Sequence, residues 1–216
     1  DIHLVSGMIL KENFYAPAPD DAPTRADLGL SQDGPVALIM FGGNGSSSAT
    51  NAILAQLEKT GLGVEAIVMC GRNAALFKSL EGRPGVRPIG FVNNVADYMR
   101  LADFFIGKPG PGSLAEALHM GLPVIVEKNS NTMPQERPNP DWVQEKGVGV
   151  VISSFRKDTG QAARQVLGSL RHFQDNIRDN VPANRAVFEV VTILERYLGA
   201  ADHMVASAQA TSSPET

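Results

Sequence analysis

Short, unbroken apolar runs alternate with amphipathic stretches from Gly34 onward. Val36–Phe41, Val64–Cys70, Val86–Gly90, Asp103–Ile106, Val124–Glu127 and Val148–Ile152 read as continuous rather than alternating strands. That is the pattern of strands covered on both faces of a parallel sheet. Between them, the sequence predicts a helix running from Ser46–Ser48 through Lys59, then helices at Ala74–Leu80, Asn94–Leu101, from Ser113 onward and Trp142–Lys146. Two more, around 159–170 and 184–198, close the chain. Strand–helix alternation of this kind implies right-handed crossovers and an α/β, Rossmann-like, doubly wound parallel sheet. Such sheets bind ligands at the carboxyl ends of their strands.

The flanks differ from this core. Residues 1–33 read as a linker segment: an apolar stretch, the Pro/Ala/Asp loop at 16–23, and a short helix capped by Thr24 and ended by Gly29. The main domain is expected over 34–199. Residues 200–216 lack periodicity and read as a disordered tail. The chain opens on Asp1 in what reads as a strand, so a fragment of a longer protein is expected.

Composition narrows the function classes. Of 216 residues, 43% are hydrophobic and 19% charged, ordinary for a globular protein, and the net charge of −4 disfavours a nucleic-acid surface. No apolar run approaches the length of a membrane span. The single cysteine, Cys70, lies in an apolar run, which excludes a disulfide framework and suggests a reducing, cytoplasmic setting. No signal peptide is visible.

The chemistry concentrates in Phe104–Glu127, FFIGKPGPGSLAEALHMGLPVIVE. A strand end, a glycine loop and a helix start at Ser113 make an anion site, since free backbone N–H groups and the helix dipole point there. Lys108 would neutralise ligand charge, or is an ordinary solvated lysine. Ser113 and Glu116 have capping-box spacing. Alternatively, the Glu116 carboxylate accepts from two sugar hydroxyls at once. A second glycine turn, Gly42-Gly43-Asn44-Gly45, follows the first strand; it is either a tight turn or a second phosphate-facing loop. Ser48 stands where a dinucleotide fingerprint needs its third glycine, and no Gly-Lys-Ser/Thr closes either loop, so NAD binding and ATP hydrolysis are disfavoured. Gln135, Glu136 and Asn139, in the long polar loop 128–141, are candidates for sugar hydroxyls. His119 reads as a structural cation near a helix end. No Cys/His/carboxylate spacing suggests a metal, and no cofactor is implied.

Gly90–Gly149 resembles the donor-binding half of monogalactosyldiacylglycerol synthases, bacterial diacylglycerol glucosyltransferases and the lipid II UDP-GlcNAc transferase. The motif residues are Lys108, Gly110, Pro111, Gly112, Ser113, Glu116 and Ala117, then Gly121-Leu122-Pro123, Gln135-Glu136, Asn139, Gly147 and Gly149. The resemblance covers about 34–198 and implies one half of a GT-B fold in an inverting, metal-independent glycosyltransferase. It implies that Gly43, Asn44, Gly45, Lys108, Gly110, Gly112, Ser113 and Leu114 hold the diphosphate of a UDP-hexose. Phe91 and Val92 would receive uracil, Glu116 the ribose, and Gln135, Glu136 and Asn139 the donor sugar. The lipid acceptor and catalytic base would belong to a separate N-terminal domain or partner subunit, and peripheral attachment to the cytoplasmic face of a membrane is implied. Two positions depart from the family: Pro138 stands where lipid synthases usually have Gly, and Met8–Glu12 only loosely replaces the apolar-Pro-x-Arg-Pro linker. The alternatives are a free-standing donor-binding subunit of a two-subunit GlcNAc transferase, or a UDP-sugar epimerase-like enzyme of the same fold.

Overall fold

The computed structural model describes residues 2–210, with side chains through Leu198. Six strands, β1 (Val36–Met40), β2 (Glu65–Gly71), β3 (Val86–Gly90), β4 (Phe104–Gly107), β5 (Val124–Glu127) and β6 (Gly149–Ile152), form one sheet. All neighbouring pairs are parallel, in the order β3-β2-β1-β4-β5-β6. Every residue of β1 and β4 is buried, which explains their unbroken apolar character.

Among the described residues eight α-helices accompany the sheet: α1 (Ser47–Thr60), α2 (Ala74–Leu80), α3 (Val95–Met99), α4 (Pro111–His119), α5 (Pro138–Lys146), α6 (Phe155–Gly168), α7 (Leu170–Asn180) and α8 (Ala186–Ala210). The period-2 alternation of each strand divides the apolar side chains between two cores. Val36, Leu38, Met40 and Phe105 face a core shared with α3, α4 and α5. Ala37, Ile39, Phe104 and Ile106 face one shared with α1, α2 and α6.

Helix boundaries differ from expectation in places. α4 starts at Pro111, α5 at Pro138 and α6 at Phe155, each earlier than the periodicity suggested. Proline at the first helical position explains the first two: its ring presets φ, and its missing N–H is not needed there. α7 was not expected. Only Phe173 and Ile177 of its eleven residues are buried, too sparse a stripe to read from sequence. The tail expected over 200–216 begins inside α8, which runs to Ala210; 211–216 lie outside the described residues.

Residues before β1 pack against the domain. Leu10, Phe14 and Leu30 are buried in the α3/α4/α5 core. The predicted helix after Thr24 is a single turn, held by reciprocal bonds between Thr24 and Asp27 and ended by Gly29 at φ 59°. Arg25 donates to the Leu101 carbonyl at 2.9 Å and to Asp103 at 3.0 Å, while the same Asp103 oxygen accepts from the Val36 N–H at 2.7 Å. One carboxylate thus ties this segment to the sheet at β1. Asp103→Ala should cost about 1–3 kcal/mol, since it leaves the Val36 N–H without its acceptor and removes the carboxylate paired with Arg25, whose other N–H groups keep the Leu101, Gln32 and Gly34 carbonyls. Urea unfolding checks this: an unchanged midpoint would show that the clamp adds nothing.

Candidate functional site

The strand order reverses between β1 and β4, so the loops that leave these adjacent strands open the crevice where α/β sheets bind ligands. α1 begins just beyond one loop and α4 just beyond the other. Neither helix carries an acidic residue in its first turn, and neither has a side-chain cap. Two helix N-termini therefore offer unneutralised dipoles to the same crevice.

In α4 the cap is Gly110, with Pro111 at the first helical position, so Ser113 is not the N-cap expected from its sequence. The first intrahelical bond runs from the Leu114 N–H to the Gly110 carbonyl at 3.0 Å. That leaves the Gly112 and Ser113 N–H groups as the free donors of the first turn. The Ser113 hydroxyl donates to the Gly110 carbonyl at 3.3 Å, so the capping box with Glu116 does not form. A Cβ on Gly112 would meet nothing within 4 Å, which marks open space in front of these donors. Lys108 is exposed beside them and forms no ion pair among the described residues.

The Gly42–Gly45 loop is anchored from behind. The Arg72 N–H donates to the Gly43 carbonyl at 2.8 Å, and a Cβ on Gly71 would come within 2.3 Å of that same oxygen. Only glycine allows this approach, and Gly71 sits at φ 57°. Gly42, Gly43 and Asn44 themselves are exposed, and Cβ atoms on the two glycines would meet nothing.

Two carboxylates lie behind these loops without hydrogen-bond partners among the described residues. Glu116 is half-buried; burial raises its pKa above the usual carboxylate range, and the nearby Lys11 charge opposes that shift. Lys11 is a site residue missed in the sequence, because the segment carrying it matches the family pattern only loosely. Glu136 is 8% exposed and packs against the loop: one of its oxygens lies 3.4 Å from where a Cβ on Gly110 would sit. Of the other sugar-side candidates, Gln135 is exposed and donates only to the Met133 sulfur at 3.4 Å. Asn139 belongs to the first turn of α5 rather than to a loop, and its side-chain N–H donates to the Pro109 carbonyl at 2.7 Å. It braces the α4 loop from α5. At the β2/β3 edge, Phe91 is half exposed with the Arg72 guanidinium 4.5 Å above its ring, whereas Val92 packs partly into the core. Cys70 is buried, which pushes its thiol up, so it is a packing residue.

The sequence and the fold have relatives among known proteins. Residues 36–198 match the glycosyltransferase family 28 C-terminal domain. The chain belongs to this family. It is 32% identical over 163 residues to a probable monogalactosyldiacylglycerol synthase of Nicotiana tabacum, covering 71% of this chain and 30% of that protein. It is 29% identical over 215 residues to a processive diacylglycerol β-glucosyltransferase of Bacillus subtilis, covering 95% of this chain and 54% of that one. The chain thus spans about a third to a half of the length of these curated relatives. Among solved structures it resembles WaaG, a glycosyltransferase of lipopolysaccharide biosynthesis (TM-score 0.62, 18% identity, 88% of this chain and 55% of that one). It also resembles a spinosyn rhamnosyltransferase complexed with thymidine diphosphate (TM-score 0.60, 17% identity, 82% and 49%). The sheet is therefore one half of a GT-B glycosyltransferase fold.

The elevated Glu116 pKa sets a sign. The folded state binds this proton more tightly than the unfolded chain does. Protonation therefore stabilises the family 28 domain, and that stability is lost as pH rises through the folded pKa. At neutral pH the buried charge is a cost. Glu116→Gln should therefore unfold at a higher temperature than wild type at pH 7, with the advantage vanishing as wild-type Glu116 protonates on acidification. Identical thermal midpoints at pH 7 would show that the carboxylate is not strained by burial.

Proposed function

We propose that this domain binds the UDP-hexose donor of an inverting, metal-independent hexosyltransferase whose acceptor is a lipid such as diacylglycerol. The observation that carries the reading is the pair of acid-free helix N-termini at the strand-order reversal, backed by a half-buried carboxylate, Glu116, that has no hydrogen-bond partner among the described residues and only the Lys11 charge nearby. The diphosphate lies against the Gly112 and Ser113 N–H groups and the Gly43–Gly45 loop, with Lys108 neutralising charge. Glu116 accepts from the ribose hydroxyls, which repay the desolvation of its carboxylate. Uracil stacks at Phe91, beside Arg72 and Val92. Glu136, with Gln135 and Asn139, borders the hexose.

Transfer is a direct displacement at the anomeric carbon. The acceptor oxygen forms the new bond as the bond to UDP breaks, and the configuration inverts. Charge grows on the departing diphosphate, where helix N–H groups and Lys108 are already oriented to stabilise it; such preorganised electrostatics are usually the largest catalytic contribution. The general base and acceptor site lie outside these residues. Three things support the reading: the family match, similarity to a diacylglycerol β-glucosyltransferase, and a structural neighbour bound to a nucleoside diphosphate. Among the described residues no helix is long and apolar enough to cross a membrane. Peripheral contact with a membrane is part of the proposal and follows from the lipid acceptor.

Calorimetric titration with UDP, UDP-glucose, UDP-galactose and UDP-GlcNAc tests this. UDP should bind, and Glu116→Ala should weaken it at least tenfold, about 1.4 kcal/mol. A folded Glu116→Ala variant with unchanged affinity would remove the ribose assignment, and no binding by wild type would remove the donor site.

A further inference from the structure

A groove of about 810 Å³ runs along the outer side of α4, walled by Met8, Leu118, Trp142 and Ile177. Its arginine, Arg178, is already paired with Asp175 and Asp179. An uncommitted guanidinium lies instead on the other flank of the crevice. Strands β3, β2 and β1 are neighbours in the sheet, so the segments leaving their carboxyl ends stand in a row. Phe91 follows β3, Arg72 follows β2, and the Gly42–Gly45 loop follows β1. Arg72 is the middle member and touches both of the others. Its backbone N–H donates to the Gly43 carbonyl at 2.8 Å, and its guanidinium carbon lies 4.5 Å from the centre of the Phe91 ring.

This guanidinium differs from others in the domain by what holds it. Arg25, Arg87 and Arg100 each fasten a loop through carbonyl or carboxylate oxygens. Arg72 is exposed and has no hydrogen-bond or ion-pair acceptor among the described residues, so its five N–H donors are unspent. Its one contact is an aromatic face that is itself 53% exposed, and cation–π attraction is weakest at such exposed sites. A planar guanidinium is suited to phosphate oxygens, which it can meet with two parallel N–H bonds. Those bonds are stronger than the ring contact it now makes.

The backbone already sets the distance. Arg72 is bonded through its own N–H to the loop that offers the Gly43–Gly45 donors, so its side chain starts beside that loop and reaches away from it to Phe91. Rotation about its χ angles alone brings the charge back over the loop. We propose that Arg72 is an exchange residue of the donor site: a base stacking on Phe91 takes the place of the guanidinium, which then closes over the diphosphate from the β2 side, across from the α4 loop. A base without phosphates displaces the cation and gives it nothing in return. A nucleoside diphosphate supplies both the replacement on the ring and the acceptor at the loop. Arg72 therefore makes the site select nucleoside diphosphates over nucleosides. This deepens the donor reading above and rests on it for the nucleotide.

The test uses this 216-residue chain with its Arg72→Ala and Arg72→Lys variants. Both substitutions keep the backbone N–H on the Gly43 carbonyl, so the loop retains its anchor. Calorimetry measures UDP, and NMR shift titration measures uridine. Arg72→Ala should bind UDP at least tenfold more weakly than wild type, yet bind uridine at least as tightly, because the ring is no longer occupied. Arg72→Lys, which keeps the charge without the planar fork, should fall between for UDP. The wild-type advantage for UDP should shrink in about 1 M NaCl, where the screening length is ~3 Å. Uridine weakened as much as UDP in Arg72→Ala would overturn the proposal by assigning the guanidinium to the base. Unchanged UDP affinity, or a loss that salt does not reduce, would overturn it as well, and the salt comparison decides even where neither protein binds uridine measurably. These results remove Arg72 alone, since wild type still binds UDP in each of them; a wild-type chain that binds no UDP would instead overturn the donor reading itself.

Discussion

The parallel pairing of β1 with β4 is the constraint on which the rest depends. Ala37 to Met40 run in register with Phe104 to Gly107, and both strands are buried along their length. Their close approach needs glycine at the end of β4, where a Cβ on Gly107 would lie 2.4 Å from the Met40 carbonyl oxygen. Strand order reverses across this one ladder, so the two helices that follow start side by side. Any change that separates the pair would separate the helix N-termini as well.

Around that crevice, local electrostatic rules are broken in one direction. Helices usually gain from an acidic first turn or a side-chain cap, yet α1 and α4 have neither. Carboxylates are usually solvated or paired, yet Glu116 is half-buried and Glu136 nearly fully so, without hydrogen-bond partners among the described residues. Elsewhere the chain follows the rules closely. Glu127 accepts from the Phe155 N–H at the start of α6, and Asp158 accepts from Ser153 and Ser154 in the same turn. An uncapped, acid-free first turn is not unique to this crevice, since α7 has one too, but among the described residues only here do two such helix starts meet with two carboxylates that lack hydrogen-bond partners.

The groove behind α4 and the crevice in front of it share a brace. Asn139 fixes the Pro109 carbonyl from α5, so the position of the anion loop depends on how α5 packs, and α5 also forms one groove wall.

Much of this was legible in the chain. The strands declared themselves because burial on both faces leaves no polar alternation, and the Lys108–Glu116 element was visible because glycine, proline and a helix start have few other uses together. Glu116, Glu136 and the Gly42–Gly45 loop stood out as candidates, but types and spacing alone left Glu116 divided between a helix cap and a hydroxyl acceptor and the glycine loop between a tight turn and a phosphate-facing one. Tertiary structure decided the rest. Whether Ser113 capped α4 depended on Pro111, whose preset φ starts the helix two residues earlier. Asn139 became a brace because α5 begins at Pro138 and turns its first residues toward Pro109. Lys11 reached Glu116, and Met8 reached the α4 groove, only because the N-terminal segment folds back onto the domain through Leu10, Phe14 and the Asp103 clamp. Local sequence encodes periodicity and backbone preference; contacts between residues a hundred positions apart are set by packing, which no local pattern records.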